Sequence, residues 1–310
     1  MTTMRAVQVT ETGDPGVMVE GRVPRPDPWV GEVRVRVRAA GINPVDVGSR
    51  RGGVFGSTVP FIPGWDISGV VDAVGPGVTI WRAGDPVFGL LPFPRGAGAY
   101  AEFAIAPARS LARVPAGLSH VEAAALPLAG LTAWQALVDT AGIAAGARVA
   151  ITAAAGGVGH LAVQIAAARG AEVIAVASRG HAERLAALGA RTLVEPDAAD
   201  ADAALRDLDA VLDCVGGDYP VRGVEWLRAG GTLVTLQPSA AAGAQVRAGE
   251  RDVRALGLLV EADGAGMREL VALVEAGLLA PTVAAVHPLA EASEAQLAPH
   301  GPGKVVLTLE

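Results

Sequence analysis

The chain has 310 residues, more than a single hydrophobic core usually supports, so two domains are expected. Its net charge of -7, with no arginine cluster interrupted by aromatics, counts against a nucleic-acid-binding surface. The one cysteine, Cys214, excludes a disulfide framework or a cysteine-based zinc site built within the chain. The N-terminus lacks a basic head followed by an apolar run, which fits a cytoplasmic protein. Residues 149–168 are apolar, but Thr152, three glycines, His160 and Gln164 place turn residues in their middle and argue against a membrane span.

Residues 1 to about 120 read as short strands punctuated by glycine and proline. The run "GEVRVRVRAAG" (31–41) alternates strictly, and "ISGVVDAVGPGV" (67–78) is a strand ending at a turn. At Ser119 the texture changes to longer apolar-periodic segments. The stretch "SHVEAAALPLAGLTAWQALVD" (119–139) predicts a helix opened by a capping box of Ser119 and Glu122. Strand and helix then alternate: "RVAIT" (148–152) and a helix to Arg169, "EVIAVAS" (172–178) and a helix to Leu188. Further strands follow at "TLVE" (192–195), "AVLDCVG" (210–216), "GTLVTL" (231–236) and "VRALGLLV" (253–260). This order predicts an α/β domain with a doubly wound parallel sheet joined by right-handed crossovers. The acidic "AADADAALRD" (198–207) reads as a solvated helix, and the end of the chain reverts to a helix (266–279) and a strand (304–310).

Between the strand "RVAIT" and its helix lies "AAAGGVG" (153–159), where Ala154, Gly156 and Gly159 occupy the three small positions of a dinucleotide fingerprint. The first allows a tight turn, the second lets backbone approach a pyrophosphate, and the third permits close packing of helix on strand. Together with Gly157 and Val158 they present helix-start N–H groups to an anion. At the end of the next strand, where an acidic residue would hold the ribose 2′-hydroxyl of NAD, stand Ser178 and Arg179. A hydroxyl and a guanidinium suit a 2′-phosphate, so the expected cofactor is NADPH.

The motifs "AAGINPVDV" (39–47), "PGWDISGVVDAVGPGV" (63–78), "GDPVFGL" (84–90), "AYAEFA" (99–104), "AALPLAGLTAWQAL" (124–137), "AAAGGVGHLAVQIA" (153–166), "VLDCVGG" (211–217) and "GKVVL" (303–307) run the length of the chain. Together they resemble the medium-chain dehydrogenase/reductase superfamily, specifically its zinc-free, NADPH-dependent quinone oxidoreductase branch. The resemblance implies a GroES-like, β-barrel-like catalytic domain (1–121), a Rossmann domain (122–261) and a C-terminal segment (262–310) returning to the first. Where zinc-dependent members carry their catalytic ligands, this chain has Asn43, Trp65 and Leu128, none of which can hold zinc. Without a Lewis acid, reduction of a quinone or an α,β-unsaturated carbonyl compound is expected rather than alcohol oxidation.

The resemblance also carries over Asn43 and Thr132 as residues lining the nicotinamide and its ribose, and Lys304, the only lysine, as a residue near the cofactor. Phe55 and Trp65 are candidates for an apolar wall against a planar substrate. A homodimer pairing across "VRALGLLV" is implied. Pro196 stands where many relatives have a tyrosine that helps with the 2′-phosphate, and the loop 48–59 lacks the tyrosine that could assist protonation, leaving solvent as the default donor. Asp46 and Asp66 are expected in barrel loops with structural hydrogen bonds, His160 as a packed helix residue and Cys214 as an inert core residue on a strand. Two alternatives stay open: an enoyl reductase for a thioester or polyketide-like intermediate, with Arg50 and Arg51 as candidates for its groove, and an NADPH-binding redox sensor without turnover.

Overall fold

The computed structural model describes residues 2–52, 58–95, 98–297 and 301–309, and the chain divides into two compact units. One contains Met1–Leu131, Glu261–Glu275 and Pro281–Glu310; the other contains Thr132–Val260 and Ala276–Ala280. Phe55 and His300 lie outside the described residues.

In the first unit, β1 (Thr3–Val9) and β2 (Met18–Pro24) form a two-stranded antiparallel sheet. The larger sheet is organised on β3 (Glu32–Gly41), which is followed by α1 (Pro44–Arg50) and pairs antiparallel with β4 (Asp66–Val74). Next come β5 (Pro86–Leu90), β6 (Phe103–Pro107) and β7 (Leu111–Arg113). Register shifts at Arg34/Val35 and Val37/Ala39 bend β3, a device that lets one strand change partners along its length. Its free edge pairs with β6 over residues 32–36. Val33, Val35 and Val37 are buried and Arg36 and Arg38 exposed, as alternation predicts, but Arg34 is buried as well. Its Nε donates to Asp72 at 2.7 Å and its guanidinium lies 5.7 Å from the Phe103 ring centre, so a charge on the outer face is covered and paired.

The predicted long helix is interrupted. Ser119 Oγ accepts from the Glu122 N–H at 3.2 Å and the Glu122 carboxylate accepts from the Ser119 N–H at 2.8 Å, so the capping box forms. It opens only α2 (His120–Ala124); α3 (Pro127–Trp134) starts afresh and runs into a π-helical stretch, Gln135–Thr140. Pro127 is the cause: it has no N–H to continue α2 and is well suited to the first position of a new helix.

The second unit contains β8 (Arg148–Thr152), α4 (Gly159–Ala168), β9 (Glu172–Val176), α5 (Ala182–Ala187), β10 (Ala190–Val194), α6 (Ala201–Ala204), β11 (Leu208–Asp213), α7 (Tyr219–Trp226), β12 (Leu227–Thr235), α8 (Ala241–Ala248) and β13 (Arg254–Gly257). The strands are all parallel, in the order β10-β9-β8-β11-β12-β13. Counted within the unit this is 3-2-1-4-5-6, the Rossmann order, whose reversal falls between β8 and β11. The acidic segment 198–207 is not a fully solvated helix: only one turn forms, and Ala201 and Leu205 sink into the apolar core with Trp226 and Leu227.

The chain then forms α9 (Gly264–Glu275), β14 (Val283–Pro288), α10 (Ala292–Ala295) and β15 (Lys304–Thr308). β15 completes the larger sheet of the first unit by pairing antiparallel with the end of β3, Val306 opposite Gly41. Among the described residues no helix is long and apolar enough to cross a membrane.

Candidate active site

The turn after β8 is built as a dinucleotide fingerprint requires. A Cβ on Gly159 would stand 2.3 Å from the Ala153 carbonyl oxygen and 2.7 Å from the Ala154 Cα, and one on Gly156 would stand 3.2 Å from that oxygen. The start of α4 therefore packs directly on the turn, with no room for a side chain. The residue in the left-handed region is Ala153 (φ 47°), one position before the Ala154 that the fingerprint assigns to the turn. As in any helix start, the first N–H groups, those of Val158 and Gly159, lack intrahelical acceptors and face an anion favourably. This cradle fits a pyrophosphate. His160 is buried in α4, its Nδ1 2.9 Å from the Gly156 carbonyl oxygen, as a packed helix residue should be.

Beneath this turn is a polar cluster not anticipated from sequence. Asp213, fully buried at the end of β11, accepts hydrogen bonds from Thr235 Oγ1 at 2.7 Å, Thr152 Oγ1 at 3.1 Å and the N–H groups of Val215 and Gly216. Thr152 Oγ1 accepts in turn from the Cys214 N–H at 2.9 Å. The carboxylate thus ties together the ends of β8, β11 and β12, the side of a parallel sheet where ligands bind. The signal was a lone carboxylate inside the apolar run "AVLDCVG". Cys214 follows β11 rather than lying on it and is only half-buried, and burial of its sulfur pushes the thiol well above its ordinary range.

Ser178 and Arg179 follow β9, and Arg179 is already engaged: its Nε donates to Glu195 Oε1 at 2.8 Å. Thr132 lies in α3 and is buried.

In the first unit, Asn43 and Lys304 come together, with Asp66 between them. Asn43 Nδ2 donates to Asp66 Oδ2 at 2.8 Å, while the Lys304 ammonium donates to Asn43 Oδ1 and to the Ile42 carbonyl at 3.0 Å and stands 3.6 Å from Asp66 Oδ2. The other Asp66 oxygen accepts from the Leu128 N–H at 2.7 Å, a donor that exists because Pro127 restarts the helix there. Burial pushes the Asp66 carboxyl up, opposed by Lys304 and these hydrogen bonds. Both ends of the Asn43 amide are thereby oriented.

Asp46 belongs to α1 and Asp66 to β4, so neither sits in a loop as expected. Asp46 Oδ2 accepts from the Asn43 N–H at 2.8 Å and from the Tyr100 hydroxyl at 3.0 Å, whereas Oδ1 is buried with no hydrogen-bond partner. Burial raises this carboxyl from 3.8 to about 7. Between those values the folded chain holds a proton that the unfolded chain has lost, so Asp46 makes stability fall as pH rises through the window. In Asp46→Asn the amide oxygen can take over the two contacts of Oδ2. The variant is expected to gain on the unmodified chain by up to about 1.4 kcal/mol per pH unit between about pH 4 and 7, with no further change above. Denaturant titrations at several pH values measure this difference.

Trp65 is a core residue: 1% exposed, edge-to-face with Phe93 at 5.2 Å, its indole N–H donating to the Arg95 carbonyl. Arg50 is fully buried, its Nε donating to Gln296 Oε1 at 2.8 Å, so it is unavailable to a surface groove for a long anionic arm. Among the described residues no group of three His, Cys, Asp or Glu side chains could hold a metal ion.

A doubly wound sheet carrying this turn defines a dinucleotide-binding protein, and comparison with known proteins supplies the family. The alcohol dehydrogenase GroES-like domain matches residues 30–116 and the zinc-binding dehydrogenase family matches residues 188–307. The chloroplast envelope quinone oxidoreductase homolog of Arabidopsis thaliana is 32% identical over 98% of both chains. The 2-methylene-furan-3-one reductase of Solanum lycopersicum is 33% identical over 90% of this chain and 71% of its own length. The solved quinone oxidoreductase of Coxiella burnetii superposes with a TM-score of 0.93 at 33% identity, covering 100% of each chain. The chain belongs to the medium-chain dehydrogenase/reductase superfamily, in its quinone oxidoreductase branch, and is an oxidoreductase that uses a nicotinamide cofactor.

Proposed function

We propose that the chain reduces quinones or α,β-unsaturated carbonyl compounds with NADPH and without a metal. The observation that carries this reading is the state of Asn43: where zinc-dependent members of the superfamily hold a ligand cysteine, this chain has an amide oriented by Asp66 and Lys304. Trp65 and Leu128 stand at the other two ligand places, and neither offers a side-chain zinc ligand. One matching family is described by its zinc, but the three positions in this chain support a metal-free reductase.

In this reading the Gly156, Gly157, Val158 and Gly159 backbone holds the pyrophosphate, and Ser178 and Arg179 serve the 2′-phosphate. Thr132 and Asn43 serve the nicotinamide and its ribose, Asn43 positions the substrate carbonyl, and Lys304 holds the Asn43 amide. Bound, the reduced nicotinamide supplies a hydride to the electron-poor carbon, and the resulting substrate anion takes a proton from solvent. We further propose a cytoplasmic homodimer joined at β13, the edge strand of the six-stranded sheet, which a partner's strand would cover.

The test is NADPH consumption across a panel of quinones and enones, with and without chelator and with zinc measured in the purified protein. Turnover of at least one class, unchanged by chelator and without stoichiometric zinc, is expected. Tight NADPH binding with no turnover of any member would make the chain a sensor, and chelator-sensitive turnover would overturn the metal-free mechanism.

A further inference from the structure

The outer strands β10 and β9 run parallel with Val194 opposite Val176, so the chain leaves both at the same level of the sheet. Two residues beyond Val176 is Ser178, followed by Arg179; immediately beyond Val194 is Glu195. The two charged side chains meet there. Arg179 Nε and Nη2 lie 2.8 and 2.6 Å from the same Glu195 oxygen, with the arginine side chain 83% and the glutamate 36% exposed.

In sheets of this strand order the adenosine ribose is read at the end of the second strand: a carboxylate accepts from a 2′-hydroxyl, and an arginine pairs with a 2′-phosphate. Here both chemistries stand within bonding distance of one another, at adjacent strand ends. A carboxylate held against the guanidinium competes with a 2′-phosphate for its N–H groups and repels its charge. An exposed ion pair of this kind is weak enough to be exchanged when a better partner arrives.

We propose that Glu195 is a coenzyme-specificity residue: by occupying Arg179 and offering an acceptor to a 2′-hydroxyl, it narrows the preference for NADPH and lets the chain bind NADH as well. The proposal rests on the dinucleotide reading of the turn after β8. It makes opposite demands on the two members of the pair, which a bystander ion pair does not. Exchanging the carboxylate for a neutral amide loosens its hold on Arg179 and leaves only a weaker, uncharged acceptor for the hydroxyl, whereas removing the guanidinium deletes only the phosphate partner.

The experiment is calorimetric titration of the unmodified chain, Glu195→Gln and Arg179→Ala with NADPH, NADH and adenosine 2′,5′-bisphosphate, the last a probe of the 2′-phosphate without the nicotinamide. The unmodified chain is expected to bind both coenzymes within about tenfold of each other. Glu195→Gln should tighten NADPH and the bisphosphate by about tenfold and weaken NADH; Arg179→Ala should weaken NADPH and the bisphosphate by about tenfold or more and leave NADH within about twofold. Both side chains are exposed, and thermal melts of the variants verify that the fold is intact. Binding ratios unchanged by Glu195→Gln, or shifted alike for both coenzymes, would overturn the selector while leaving the dinucleotide site standing. Failure of the unmodified chain to bind either coenzyme would overturn both.

Discussion

Asp66→Ala is expected to lose about 3–5 kcal/mol of stability, the cost of stranding one member of a buried ion pair. Asp66 is fully buried and Lys304 is 4% exposed, so neither charge has water to fall back on. The carboxylate also receives the Asn43 amide and the Leu128 N–H, which the variant leaves without an acceptor. Packing gives no relief: a Cβ on Gly41 would stand 2.8 Å from Asp66 Oδ2, which shows how closely the carboxylate is enclosed. Lys304→Met removes the opposite charge, and the double variant Asp66→Ala, Lys304→Met should lose clearly less than the sum of the two single losses, because no ion is then left buried alone. Denaturant unfolding of the four proteins measures the cycle. Additive losses would mean that the two groups do not stabilise one another.

Gly159→Ala is expected to reduce coenzyme affinity by about 5- to 150-fold, equivalent to roughly 1–3 kcal/mol of overpacking strain placed on the turn that must hold the pyrophosphate. The atoms that its Cβ would meet, at 2.3 and 2.7 Å, are the backbone of Ala153 and Ala154, which cannot rotate away as a side chain could. Ala153 is already in the left-handed region, so the turn has little freedom to move further. The start of α4 must therefore shift away from β8, and its N–H groups with it. Gly21→Ala is the control, since its Cβ would meet nothing within 4 Å. Coenzyme titration of the two variants decides the point: equal affinities would show that this turn is a tight connection without a ligand.

Both experiments probe features that differ in how far the sequence reveals them. The order of apolar runs and helices was sufficient for the parallel sheet, because parallel strands require crossovers and the crossovers are the helices between them. The spacing of Ala154, Gly156 and Gly159 was likewise legible, since close packing of helix on strand admits only small residues at such positions. So was the capping box at Ser119, a contact between neighbours three residues apart. These are local rules, in which the chain's own covalent geometry brings the partners together.

The pairing of polar groups was decided by the tertiary structure. Lys304 reaches Asn43 across 261 positions, and Asp66 gains its third partner, the Leu128 N–H, only because Pro127 breaks a helix that periodicity alone would continue. Arg179 reads in sequence as a free partner for a phosphate, but parallel pairing of β9 and β10 sets Glu195 against it. Asp213 reads as one acidic residue in an apolar strand, and only the assembled sheet supplies its two threonines. By itself the sequence determined the alternation of strands and helices in the parallel-sheet domain, the α/β class and the position of the glycine turn, because periodicity and backbone sterics act over a few residues. Which charge meets which was left to the fold, because burying a charge demands a partner, and that partner comes from whichever segment the packing of distant elements brings within reach.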